Sequence, residues 1–212
     1  MKQKQSGFTL IEIAIVLVII GLLLGGVLKG QELINSAKVK NLATDFKNVP
    51  IYIYAYQDKY RALPGDDKAA DTHLAVSGVT VTITNGDGNG VIGGAWDASS
   101  GESFQFWQHI RLAGIAPGTT TTTDNAYIPT NTIGGSIGVT NSSANNPIVG
   151  LRGSYIVCSA SVPGKFAKQL DIAMDDGNTA AGSMMTAASG TSAATATANI
   201  GDDSPYNVCM GF

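Results

Sequence analysis

The sequence predicts an α+β protein, a long N-terminal helix with a hydrophobic first half packed on a small antiparallel β-sheet. Three observations predict it. An unbroken apolar run fills residues 8–28. A stripe of apolar residues at helical spacing continues that run to Tyr60. Beyond it, strand-like alternation and turn residues return repeatedly, as expected of a β-rich head. The expected organisation is residues 1–7 as a leader, 8–28 as a membrane-spanning helix, 29–60 as its amphipathic continuation and 61–212 as a globular head.

The first seven residues, MKQKQSG, are short, polar and basic. The apolar run of 21 residues then spans about 32 Å as a helix, enough for a bilayer core of about 30 Å. It is too long for an ordinary secretory signal, and no small-residue cleavage pattern closes it. Lys2 and Lys4 lead the run and only Lys29 marks its far edge, so the N-terminus is expected on the cytoplasmic side. A plain anchor does not explain Glu12. A carboxylate within a hydrophobic span costs at least about 2.5 kcal/mol and needs a partner. If the leader is cut after Gly7, Phe8 gains a free α-amino group one helical turn from Glu12. That amine on one subunit can neutralise Glu12 of its neighbour and set the register between copies.

The segment Gly7-Phe8-Thr9-Leu10-Ile11-Glu12 resembles the processing site of type IV pilins and type II secretion pseudopilins. The resemblance implies cleavage between Gly7 and Phe8 by a prepilin peptidase and N-methylation of Phe8. It implies an assembly role for Glu12 at the fifth mature position and a pilin-like fold. The partners so implied are other copies of the chain in a homo-polymer, the peptidase, and a pilus or secretion assembly platform with its ATPase. The implied location is the inner membrane as precursor, then an extracellular or periplasmic filament. A pseudopilin, or a minor tip subunit acting as an adhesin or DNA-binding module, are the alternatives.

From residue 29 onward, Leu42, Phe46, Val49, Ile53, Tyr56 and Tyr60 recur at spacings of three and four, the mark of an amphipathic helix. Pro50 within it is expected to kink it. The row Tyr52, Tyr56, Tyr60 reads as packing against the sheet. Leu63-Pro64-Gly65-Asp66-Asp67 ends the helix with turn chemistry. Val79–Thr84 alternates as a half-buried strand, and residues 102–113 read as a helix. A polar loop region is expected over 117–146, one or two strands over 148–162, and a helix over 163–174. Residues 177–200, rich in Ala, Thr, Ser and Gly, read as a mobile loop or poorly packed strands.

Cys158 and Cys209 are the only cysteines. In an exported chain they are expected to form one disulfide closing the C-terminal region. The loop Asn85-Gly86-Asp87-Gly88-Asn89-Gly90 matches the first half of an EF-hand-type calcium loop. Asn85, Asp87 and Asn89 would supply side-chain oxygens and Val91 a carbonyl. Trp96 stands where the closing glutamate belongs, so Asp97 or Glu102 would have to substitute. A plain Asn-Gly/Asp-Gly turn is the alternative.

Charged residues make up only 14% of the chain and the net charge is −3, so nothing suggests a generic nucleic-acid binder. His73 and His109 belong to no HExxH or Cys/His pattern, and there is no Gly-x-Ser-x-Gly or phosphate-binding GKS/GKT loop. His109 reads as surface or half-buried. The pairs Asp66-Asp67, Asp175-Asp176 and Asp202-Asp203 read as turns and solvated faces, with a second metal site as the alternative. Nothing here points to an enzyme.

Overall fold

A computed structural model describes residues 9–75, 81–141 and 145–212. The chain divides into two compact units, Met1–Ala37 and Lys38–Phe212. Helix α1, Leu10–Tyr60, is one element of 51 residues that runs through Pro50. Its first part, within the first unit, exposes its large apolar side chains all round, from Leu10 and Ile11 to Leu33 and Ile34. None of its described residues is buried by the chain itself, and the helix is long and apolar enough to cross a membrane.

The second unit holds the rest of α1, then α2 (Ala70–His73), α3 (Glu102–Leu112), β1 (Ile137–Thr140), β2 (Ile156–Pro163), α4 (Gly164–Met174), β3 (Met184–Ala188), a 3₁₀ turn (Thr197–Asn199) and β4 (Pro205–Gly211). The sheet is antiparallel throughout, in the order β1-β2-β4-β3. Val157, Val162, Val208 and Met184 share a core with Leu42, Phe46, Val49, Ile53 and Tyr56 of α1, Phe106 and Ile110 of α3, and Phe166 and Leu170 of α4. The alternate residues Ile156, Cys158, Met185 and Cys209 pack on the other face against Ile148 and Leu151. The α1 stripe predicted from spacing is therefore the core-facing stripe, with only Tyr60 left half-buried.

Several expectations give way. The described part of the proposed strand, residues 81–84, is not in a sheet; Val79 and Thr80 lie outside the described residues. The carbonyls of Thr82 and Thr84 instead accept hydrogen bonds from Gln108 and His109, so this segment runs along α3. Residues 117–146 contain β1, and 177–200 contain β3, both well buried. His109 is fully buried, as are Asp66 and Asp67. The Cys158–Cys209 disulfide forms between directly opposed residues of β2 and β4.

Candidate functional site

Two sets of residues carry chemistry. The first is the start of α1. Thr9 precedes the first helical residue, and Glu12 is the third residue inside. The Glu12 carboxylate accepts the Thr9 N–H at 2.8 Å and its hydroxyl at 2.7 Å, while Thr9 Oγ1 accepts the Glu12 N–H at 3.3 Å. This is a capping box: each side chain satisfies an amide that the helix end leaves unpaired. Within a single chain the Glu12 carboxylate is thus hydrogen-bonded. Its negative charge still has no cation beside it among the described residues. The Thr-x-x-Glu spacing was the signal for this motif. Gly7 and Phe8 lie outside the described residues.

The second set lies around the turn after α1. Gly65 takes a positive φ of 92°, and a Cβ there would collide with the Glu102 carbonyl at the start of α3. Its N–H donates to Nδ1 of His109 at 2.9 Å, whose Nε2 lies 3.0 Å from the Thr84 carbonyl. Burial holds the His109 pKa below its ordinary value, so the ring is neutral with its proton on Nε2. Asp67 is anchored by Tyr56 Oη at 2.8 Å, His73 Nδ1 at 2.6 Å and the Ala69 N–H at 2.9 Å. Burial raises the Asp67 pKa, but these partners outweigh it and hold the carboxyl below the usual range.

Asp66 is the centre of the glycine-rich loop. The amides of Gly88 and Asn89 donate to its Oδ1 at 2.8 and 3.0 Å, and that of Gly90 to its Oδ2 at 2.8 Å. Gly86 lies so close to the Asp66 backbone that any side chain would overlap it. An EF-hand loop turns oxygens inward around a cation. This loop turns amides inward around the protein's own carboxylate, as a backbone anion nest does. The proposed ligand set is redistributed accordingly. Asn85 bonds both the amide and the carboxylate of Asp71, and Asn89 Oδ1 accepts the Val91 N–H. Asp97 instead lines a small cavity with Trp96, Pro147 and Cys209.

Of the proposed set, Asp87 and Glu102 come together, and Asp66 joins them; oxygens of the three carboxylates lie within 4.8 Å of one another. From the sequence Asp66 belonged to a solvated turn or a separate second metal site, and nothing there joined it to Asp87 and Glu102. Glu102 also accepts the amides of Asp87 and Gly93, which ties α3 to the loop. The Asp66 pKa is raised, first by burial and then by Asp87 and Glu102, against the pull of the loop amides. Three carboxylates so close share a proton or hold a hard cation.

Residues 2–28 match the prokaryotic N-terminal methylation motif. That motif is the hallmark of type IV pilins and pseudopilins, and it goes with prepilin peptidase processing and assembly into filaments. The apolar helix and the small antiparallel sheet make a pilin-like α+β fold, and the motif points to a structural protein. No curated protein and no solved structure matches the chain.

Proposed function

We propose that this protein is the structural subunit of a type IV pilus-like filament. Prepilin peptidase cuts between Gly7 and Phe8 and methylates Phe8, and the subunits polymerise through the apolar half of α1. The observation that carries the reading is a methylation motif joined to a helix whose apolar side chains are bare on every face. Such a surface is stable only in lipid or against other copies of itself. In the polymer the Phe8 amine of one subunit neutralises Glu12 of the next. The long C-terminal region and its disulfide favour a pilin over a type II secretion pseudopilin. Mass spectrometry of the N-terminus of polymerised protein tests this. The expected mature chain begins with N-methyl-Phe8; filaments built from chains that retain residues 1–7 would overturn the reading.

We also propose calcium as the cation for Asp66, Asp87 and Glu102, which the convergence of three carboxylates supports. Calcium is expected to raise the melting temperature of the wild type and not of Asp87→Ala. Identical melting of the wild type with calcium and with chelator would remove calcium from the account.

A further inference from the structure

Within the second unit, a cavity of about 660 Å³ opens beside the end of α1. Gln57, Tyr60, Arg61, Lys68, His73 and Tyr155 line it, together with Asp66 and Asp67. Its size is that of a small-molecule site. The two acids that line it each accept three hydrogen bonds from the protein itself. Asp66 is held by three loop amides, and Asp67 by Tyr56, His73 and the Ala69 amide. Beside them stand the Arg61 and Lys68 cations and the Tyr60 hydroxyl, while His73 offers Nε2 as an acceptor.

Lys68 makes no ion pair among the described residues, and its stem is held against Gly88, where a Cβ would come within 3.1–3.4 Å of it. The short contact to ionised Asp67 places a proton on Nδ1 of His73. The ring stacks on Tyr60 with centroids 5.3 Å apart, and this clamp fixes its direction. Arg61 is the most informative residue. It follows the last residue of α1 and takes a φ of 57°, in the left-handed region, with its N–H on the Gln57 carbonyl at 2.8 Å. Glycine or asparagine fits that position without strain; a long β-carbon-bearing side chain does not. Its carboxylate neighbour Asp58 lies 3.6 Å away with both side chains more than four-fifths exposed, too solvated a pair to explain the strain. Strain retained at a cavity mouth points to a job for the side chain.

We propose that this cavity is a receptor site for a small organic oxyanion, a carboxylate or phosphate ester of monosaccharide size. Arg61 and Lys68 bind the charged group, the tyrosine hydroxyls donate to neighbouring oxygens, and Nε2 of His73, whose Nδ1 proton goes to Asp67, accepts from a ligand hydroxyl. The site would let each copy of the chain carry a ligand.

Titration calorimetry on the full chain in detergent micelles, with chelator present so that no metal bridges the contact, tests the proposal. The probes are glucuronate, glucose 6-phosphate and neutral glucose. At least one charged probe is expected to bind while glucose stays silent. Glucuronate alone would assign the carboxylate source, and glucose 6-phosphate alone the phosphate source. Lys68→Ala and Arg61→Gly are each expected to weaken binding about ten-fold. Arg61→Gly relieves the backbone strain, so its melting temperature should hold or rise, which separates lost binding from lost folding. Silence from both charged probes, glucose binding as well as they do, or affinity unchanged in both variants would each overturn the proposal.

Discussion

At the residue scale, the acids of the head differ in how their charge is met. Asp66 and Asp67 are buried but held by amides and side chains. Asp171, on α4, is fully buried, and neither of its oxygens makes a well-formed hydrogen bond. Burial pushes its pKa up to about 6; the nearby Gly177 amide pulls the other way, and Asp175 and Asp176 add to the rise. The folded-state pKa lies above the unfolded value of 3.8, so the native state holds the proton more tightly. The stability this provides is full below pH 3.8 and is lost as pH rises through about 6. Asp171→Asn keeps the shape and removes the buried charge. It is expected to raise the melting temperature by roughly 2–6 °C at pH 7.5, with the gain vanishing toward pH 4. A lower melting temperature at pH 7.5 would mean that Asp171 has an ionic partner. Nothing in the sequence separated Asp171 from an ordinary helix-surface acid. Ionisable residues reveal their burial only when the elements around them are placed.

At the scale of elements, legibility followed periodicity. The α1 stripe was readable because one face meets the core and the other meets water. The helices over 102–112 and 164–174 were readable for the same reason. Strands β1 and β3 were not. Helices cover one face of the sheet, while Ile148, Leu151 and their neighbours cover the other. A strand buried on both faces need not alternate, and Ile137–Thr140 and Met184–Ala188 are short and rich in small residues. The converse error fell on residues 81–84, whose alternation is met by hydrogen bonds to α3 rather than by a sheet.

The disulfide ties the middle of this sheet, between strands that are neighbours in space but 51 residues apart in sequence. Removing it as Cys158→Ala/Cys209→Ala is expected to cost roughly 3–4 kcal/mol, chiefly by freeing the unfolded chain. Urea unfolding of the variant beside the wild type, with and without reductant, measures this. Equal midpoints would show that the sheet register alone holds the C-terminal region.

For the whole molecule, the division of labour between its two units makes a separable prediction. The head buries its own core, whereas no described residue of the first unit is buried. Glu12→Ala removes the capping carboxylate and the proposed counter-ion to Phe8, both within the first unit. It is expected to leave the head's melting temperature unchanged and the chain in the membrane, while its share of sheared filaments falls sharply. Normal incorporation of this variant would count against the amine–carboxylate pairing.

The sequence by itself determined what is local or compositional: the processing motif, the anchor length, the amphipathic stripe, the solitary acid within the apolar run and the pair of cysteines. These depend on residue order along one helix or on the number of residues available, so no distant contact can change them. The tertiary structure alone decided that Asp66 fills the glycine-rich loop, that Asp87 and Glu102 meet there without Asn85 or Asp97, and that Arg61, Lys68 and His73 share a cavity wall. Those groups come from the end of α1, the turn and short helix that follow, a distant loop and the start of α3. Their convergence is set by how α1 and α3 pack on the sheet, and spacing along the chain carries no record of that packing.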